Sequence, residues 1–140
     1  MANSKSAQLR LAREETARRM MAIADKYTPA DIAVEYRARL TGCAWAWSRR
    51  IAAPRPVTRR ALHVYLHEVA HVVLEHKHER PEYIQEYEAE LWAFEVMKAE
   101  GVEIPPRCIS RAKANVAYMI HRATRAGHQI EQEVELFAAA

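Results

Sequence analysis

Glycine is scarce in this chain of 140 residues, at three positions, and proline occupies only six. Long helix-forming runs fill the space between them. No apolar stretch approaches the roughly 20 residues needed to cross a bilayer, so no membrane partner is expected. Met1 to Glu15 holds no continuous apolar segment ahead of a small-residue cleavage site. An arginine-rich organelle presequence is disfavoured too, because Glu14, Glu15 and Asp25 sit among the arginines. A cytoplasmic location is therefore the expectation. The only two cysteines, Cys43 and Cys108, are far apart and form no CxxC pair, which fits two reduced thiols. Neither sign of charge dominates. The net charge of +3 and pI near 9.0 are mildly basic, so nucleic acid is not expected as the primary partner.

Half of the residues are apolar and 28% are charged. That composition suits a globular chain with a real hydrophobic core and argues against disorder. Internal repeats, low-complexity tracts and linkers are all missing, so residues 1–140 read as a single domain.

Residues 4–26 show an amphipathic helical period through Leu9, Ala12, Thr16, Met20, Ile23 and Tyr27. Thr28-Pro29 then reads as the N-cap and first position of a second helix, running to about Leu40 before Thr41-Gly42. Residues 43–57 carry Trp45, Trp47, Ile51 and Val57 between prolines and fit one or two short strands, the only sheet expected. Thr58 is a candidate cap for a third helix reaching about His76, apolar on nearly every side and hence expected to be central. A fourth helix is expected from Pro81 to Gly101, a fifth from Pro105-Pro106 to Gly127, and a short last one over 129–138. The expected fold class is thus α+β and predominantly helical.

Residues 66–71 read Leu-His-Glu-Val-Ala-His. On a helix, His67 and His71 project from one face a turn apart, so both rings can reach one tetrahedral ion at about 2.0–2.1 Å. Glu68, offset by about 100°, falls beside that ion, where its carboxylate can act as general base on a water molecule. Two histidines and a glutamate in so apolar a helix would be costly to bury without a partner. A catalytic zinc also needs a third protein ligand. On the next helix Glu86 and Glu90 fall within the apolar arc of Tyr87, Leu91, Ala93, Phe94 and Met97. Glu88 falls on the opposite side with Gln85 and Glu95, and is expected to be solvated. Glu86 is assigned as the third ligand and Glu90 as the acceptor for a histidine N–H, with the reverse assignment left open.

Leu66-His-Glu-Val-Ala-His71 followed by Glu86-Tyr-Glu-Ala-Glu-Leu-Trp-Ala93 resembles the ImmA/IrrE family of small zinc metallopeptidases. The resemblance is strongest over residues 58–100, and the first glutamate of the family's second motif corresponds to Glu86. Position 90 is Glu where that pattern has Asn or Asp. The resemblance implies a zincin-like core with a short sheet beside the HExxH helix, one zinc ion, and a cytoplasmic endopeptidase of gluzincin-like type. It further implies a bacterial or phage origin and a regulatory protein as substrate, typically a transcriptional repressor. The competing reading is a catalytically silent zinc module that binds a protein regulator or nucleic acid.

Other polar residues carry weaker signals. His76 and His78 suggest a second metal site, although a solvated helix end is the plainer reading; His63 suggests a supporting or surface role. Tyr118, His121, Arg122 and His128 are candidate donors to an oxyanion, and nothing in the sequence selects among them. Trp45, Trp47 and Trp92 read as core or rim aromatics, and strand residues 43–51 as a possible wall of a peptide groove.

Overall fold

The computed structural model describes residues 3–77 and 79–139. In chain order these form α1 (Asn3–Tyr27), β1 (Ala33–Arg37), β2 (Cys43–Trp45), β3 (Arg50–Pro54), α2 (Arg59–Val73), α3 (Glu82–Ala99), α4 (Pro106–Arg125) and α5 (Gln132–Ala139). The architecture is α+β and mostly helical, with one three-stranded sheet of order β1-β3-β2. None of the helices is long and apolar enough to cross a membrane, among the described residues. Cys43 and Cys108 are both free thiols.

The second helix expected over residues 28–40 is replaced by β1, which runs parallel to β3. Thr28 closes α1 and does not open a new helix: its hydroxyl donates to the Ala24 carbonyl at 2.6 Å. A turn at Pro29–Ile32 follows, and Ala33 N–H donates to Arg49 C=O at 3.0 Å. Val34 and Tyr36 are strand formers, and the pairing offered by β3 outweighs the Thr-Pro signal. Arg49 sits in the hairpin between β2 and β3 with φ of +49°, and its guanidinium grips Asp31 on the approach to β1.

β3 is the middle strand, and Ile51, Ala52 and Ala53 are fully buried. α2 lies against this sheet and between α1 and α3. Its N-terminus is capped as expected, Thr58 Oγ1 accepting from Ala61 N–H at 3.1 Å. Leu62, Leu66 and Val69 are fully buried and join Met20, Ile23, Ile51 and Met97 in the main core. Each such side chain contributes about 1.5–3 kcal/mol through removal from water. A second cluster, from Tyr83, Ile84, Val116 and Val134, joins α3, α4 and α5.

α1 departs from its expected packing. Met20 and Ile23 are buried, but Leu9 is 60% exposed and Thr16 also faces solvent. The helix outruns the core that its last turns rest on.

Three helices end alike. At the close of α3, Gly101 N–H donates to Lys98 C=O and Val102 N–H to Met97 C=O; after α4, Gly127 and His128 repeat the pattern on Thr124 and Ala123. Both glycines have positive φ, at +69° and +90°, as this Schellman stop requires. α2 stops the same way at Val73, three residues short of the expected end, but with Glu75 in the left-handed position at φ +55°.

Candidate metal centre

Three residues on α2 and two on α3 build the site. His67 and His71, one turn apart, turn their Nε2 atoms toward each other at 3.1 Å. Glu86 Oε2 reaches across from α3 to stand 3.2 Å from His67 Nε2 and 2.7 Å from His71 Nε2. A tetrahedral ion with ligands at about 2.0–2.1 Å holds its ligand atoms roughly 3.3–3.4 Å apart. The observed triangle is close to that face and slightly contracted, and the three residues could hold a metal ion. Two imidazoles and a carboxylate form a donor set suited to zinc.

The outer ring nitrogens have partners as well. Glu90 Oε1 accepts from His67 Nδ1–H. Neither Glu90 nor any other described carboxylate or thiol joins the inner group, which therefore has three members among the described residues. His63 lies beneath Glu90, buried and stacked on Phe94 with ring centroids 5.0 Å apart. Its Nε2 stands 3.5 Å from Glu90 Oε1, an ion-pair distance without hydrogen-bond geometry.

Electrostatics follow from this arrangement. Burial opposes charge on His67, but the bonds to Glu86 and Glu90 outweigh it and hold the imidazole's pKa well above its ordinary value. Against the same burial, contacts with His67 and His71 hold the Glu86 carboxyl well below its usual range. Glu90 is likewise held to about 2, burial being overcome by His63 and His67. Glu68 behaves oppositely. Only 5% exposed, its carboxyl is pushed up by burial, with the imidazoles pulling the other way. Its Oε1 lies 4.0 Å from His67 Nε2, so it stands beside the ligand triangle and outside it.

His63, His67, Glu68, Glu86 and Glu90 line a cavity of about 200 Å³ together with Gly42, Val64, Arg111 and Asn115. Asn115 donates to Glu86 Oε1 at 3.3 Å, and Arg111 donates to the Leu40 carbonyl at 2.7 Å, tying the loop before Gly42 to α4. Compared with known proteins, the chain matches no family model, no curated protein and no solved structure.

Several expectations need correction. His76 is not a solvated helix end: its side chain is 1% exposed and its Nδ1 is 2.8 Å from His71 Nδ1. His78, its suggested companion, lies outside the described residues. Glu88 is half-buried, not solvated, and its Oε1 accepts from His76 at 3.1 Å. Among the oxyanion candidates, Tyr118 is 61% exposed, Arg122 pairs with Glu82, and His128 lines a different pocket. His121 is exposed. The cavity presents Arg111 and Asn115 instead, which sequence reasoning missed. Their spacing of one helical turn, next to the buried Cys108, Ala112 and Val116, was the available signal. Trp47 is 73% exposed, Trp45 lies under the Arg50 guanidinium, and Trp92 meets Tyr27 edge-on.

Proposed function

We propose that this chain is a zinc-dependent metallopeptidase related to the ImmA/IrrE proteins, acting as an endopeptidase on a regulatory protein such as a transcriptional repressor. The observation that carries the reading is the three-atom triangle of His67, His71 and Glu86, with a cavity lined by His67 and Glu86 and Glu68 on the same cavity wall. A divalent ion bound there supplies Lewis acidity and makes a nearby water easier to deprotonate. Glu68 is the base that takes the proton, and its burial raises its proton affinity toward the range such a role needs. Asn115 and Arg111 carry N–H donors on the cavity wall and are the groups available to a carbonyl oxygen that gains charge. β2 is an edge strand that begins directly after Gly42, so an extended peptide added along it would pass Glu68.

The test uses the zinc-loaded chain and a library of quenched fluorescent peptides. Wild type should cleave a subset of them, and Glu68→Gln should keep zinc and fold while losing cleavage. Cleavage retained by Glu68→Gln would overturn the mechanism; no cleavage by zinc-loaded wild type would overturn the endopeptidase reading.

A binding-module reading has one observation of its own. Arg37, Arg55, Arg59 and Arg60 line an open groove of about 700 Å³ away from the metal centre, with no acid among its lining residues. Salt-dependent retention on DNA, equal for wild type and Glu68→Gln, would favour this role.

A further inference from the structure

A residue just past the end of α2 is tied to His71 of the candidate centre. His76 is the second residue past the C-cap Leu74: its N–H donates to the His71 carbonyl at 2.9 Å, while Glu75 N–H donates to the Val72 carbonyl at 3.1 Å. In a Schellman stop the residue at this position often makes an apolar contact with the residue whose carbonyl it caps. Here both are histidines, and their rings meet Nδ1 to Nδ1 at 2.8 Å with planes inclined by 64°.

The hydrogens on this pair follow from what surrounds it. Glu88 Oε1 lies 3.1 Å from His76 Nε2, and Arg80 Nη2 lies 3.1 Å from the other Glu88 oxygen. An ionised carboxylate only accepts, so His76 Nε2 carries a hydrogen. The Nδ1 atom of a neutral His76 then has a lone pair, and the hydrogen shared with His71 belongs to His71 Nδ1. His71 Nε2 is left with its own lone pair, pointing at His67 and Glu86. That is the tautomer a metal ligand needs.

We propose that His76 is a positioning residue for the metal ligand His71. It fixes the tautomer and tilt of that ring through a relay from His71 to His76 to Glu88 to Arg80. The relay is separate from the direct Glu90 contact that serves His67. An imidazole in this place allows the turn after α2 to supply the acceptor, while the carboxylate behind it sits on the far flank of α3. This inference rests on the reading that the triangle binds a divalent ion, and it is independent of any peptidase activity.

Zinc affinity of the full chain, measured by competition with a chromophoric chelator, tests it. His76→Asn and His76→Leu are close in size, and the Asn amide oxygen can stand near the position of the His Nδ1 lone pair. His76→Leu should bind zinc about 10–100-fold more weakly than wild type, and His76→Asn should recover much of that loss. Cobalt substituted for zinc should show a changed visible spectrum in His76→Leu and a near-native one in His76→Asn. Glu88→Ala, which leaves both histidines in place, should weaken zinc binding by a smaller factor. Unchanged zinc affinity in folded His76→Leu, or equal losses in the Leu and Asn variants, would overturn the positioning role while leaving the metal centre standing. Failure of folded wild type to bind zinc at all would instead overturn the reading beneath it.

Discussion

A Cβ placed on Gly42 would stand 2.5 Å from Glu68 Cγ and 2.7 Å from Glu68 Oε2. The glycine is there for close approach, not for an unusual φ, since only Gly101 and Gly127 among the described glycines have positive φ. Its missing side chain leaves the space in which the proposed base sits. Gly42→Ala should therefore push Glu68 aside. Peptide cleavage should fall by about 10²-fold, the scale associated with a 1 Å misplacement of a reacting group, while zinc content stays near one equivalent. Full cleavage by a folded Gly42→Ala protein would show that Glu68 is not held by this contact.

Zinc should stabilise the fold by mass action. At a free concentration 100 times its dissociation constant the gain is about 2.7 kcal/mol. Thermal unfolding followed with and without zinc should show a clear rise in Tm for wild type and none for His71→Ala or Glu86→Ala. A rise that survives in Glu86→Ala would move the third ligand away from that residue.

Glu75 occupies a backbone region that disfavours L-residues by about 1–2 kcal/mol. Glycine relieves that strain, although it also loosens the unfolded chain. Glu75→Gly should raise stability to chemical denaturation by about 0.5–1 kcal/mol. Gly127→Ala, at φ +90°, should lower it by a similar amount. Opposite signs in these two variants are the check; a loss in both would mean that Glu75 does more than turn the chain.

The junction of α1 and α3 should depend on pH. Glu100 accepts from Lys26 at 2.9 Å and from Tyr27 at 2.8 Å, and these bonds hold its carboxyl below the ordinary value of 4.5. The same hydrogen bond raises Lys26 above 10.5. A depressed carboxylate stabilises fully above 4.5 and loses that contribution as pH falls through its folded value; a raised lysine loses its contribution as pH climbs through its own. The pair should thus help most between these limits, modestly, because Lys26 is exposed. Glu100→Gln should lower Tm within this window and converge on wild type in acid. A gap that stays constant into strong acid would contradict the assignment.

The helices were legible where their ends carry chemical signals. Thr58, Pro81, Pro106, Gly101 and Gly127 each sit at or beside an observed boundary. α2 is shorter than its apolar pattern suggests because its stop uses Glu75, and a left-handed glutamate leaves no mark in a sequence. β1 was missed because its partner is β3, some 17 residues away, and such pairing overrides a local Thr-Pro signal. At the centre, the i, i+4 spacing and the helical arc pointed to His67, His71, Glu86 and Glu90, which the fold brings together. Glu88 and His76 escaped the same reasoning. Position on a helical wheel says nothing of a turn that wraps around to meet the outer flank.

His71 has two attachments that sequence separates and structure joins. Its carbonyl receives the last amide of the helix stop, and its ring faces His67 and Glu86 in the group that could hold a metal ion. Opening the turn at residues 74–76 must release both together, so fraying of the helix end and escape of the metal become one equilibrium observed from opposite sides. Amide exchange at His76 would then slow with zinc concentration, although that amide touches no ligand atom.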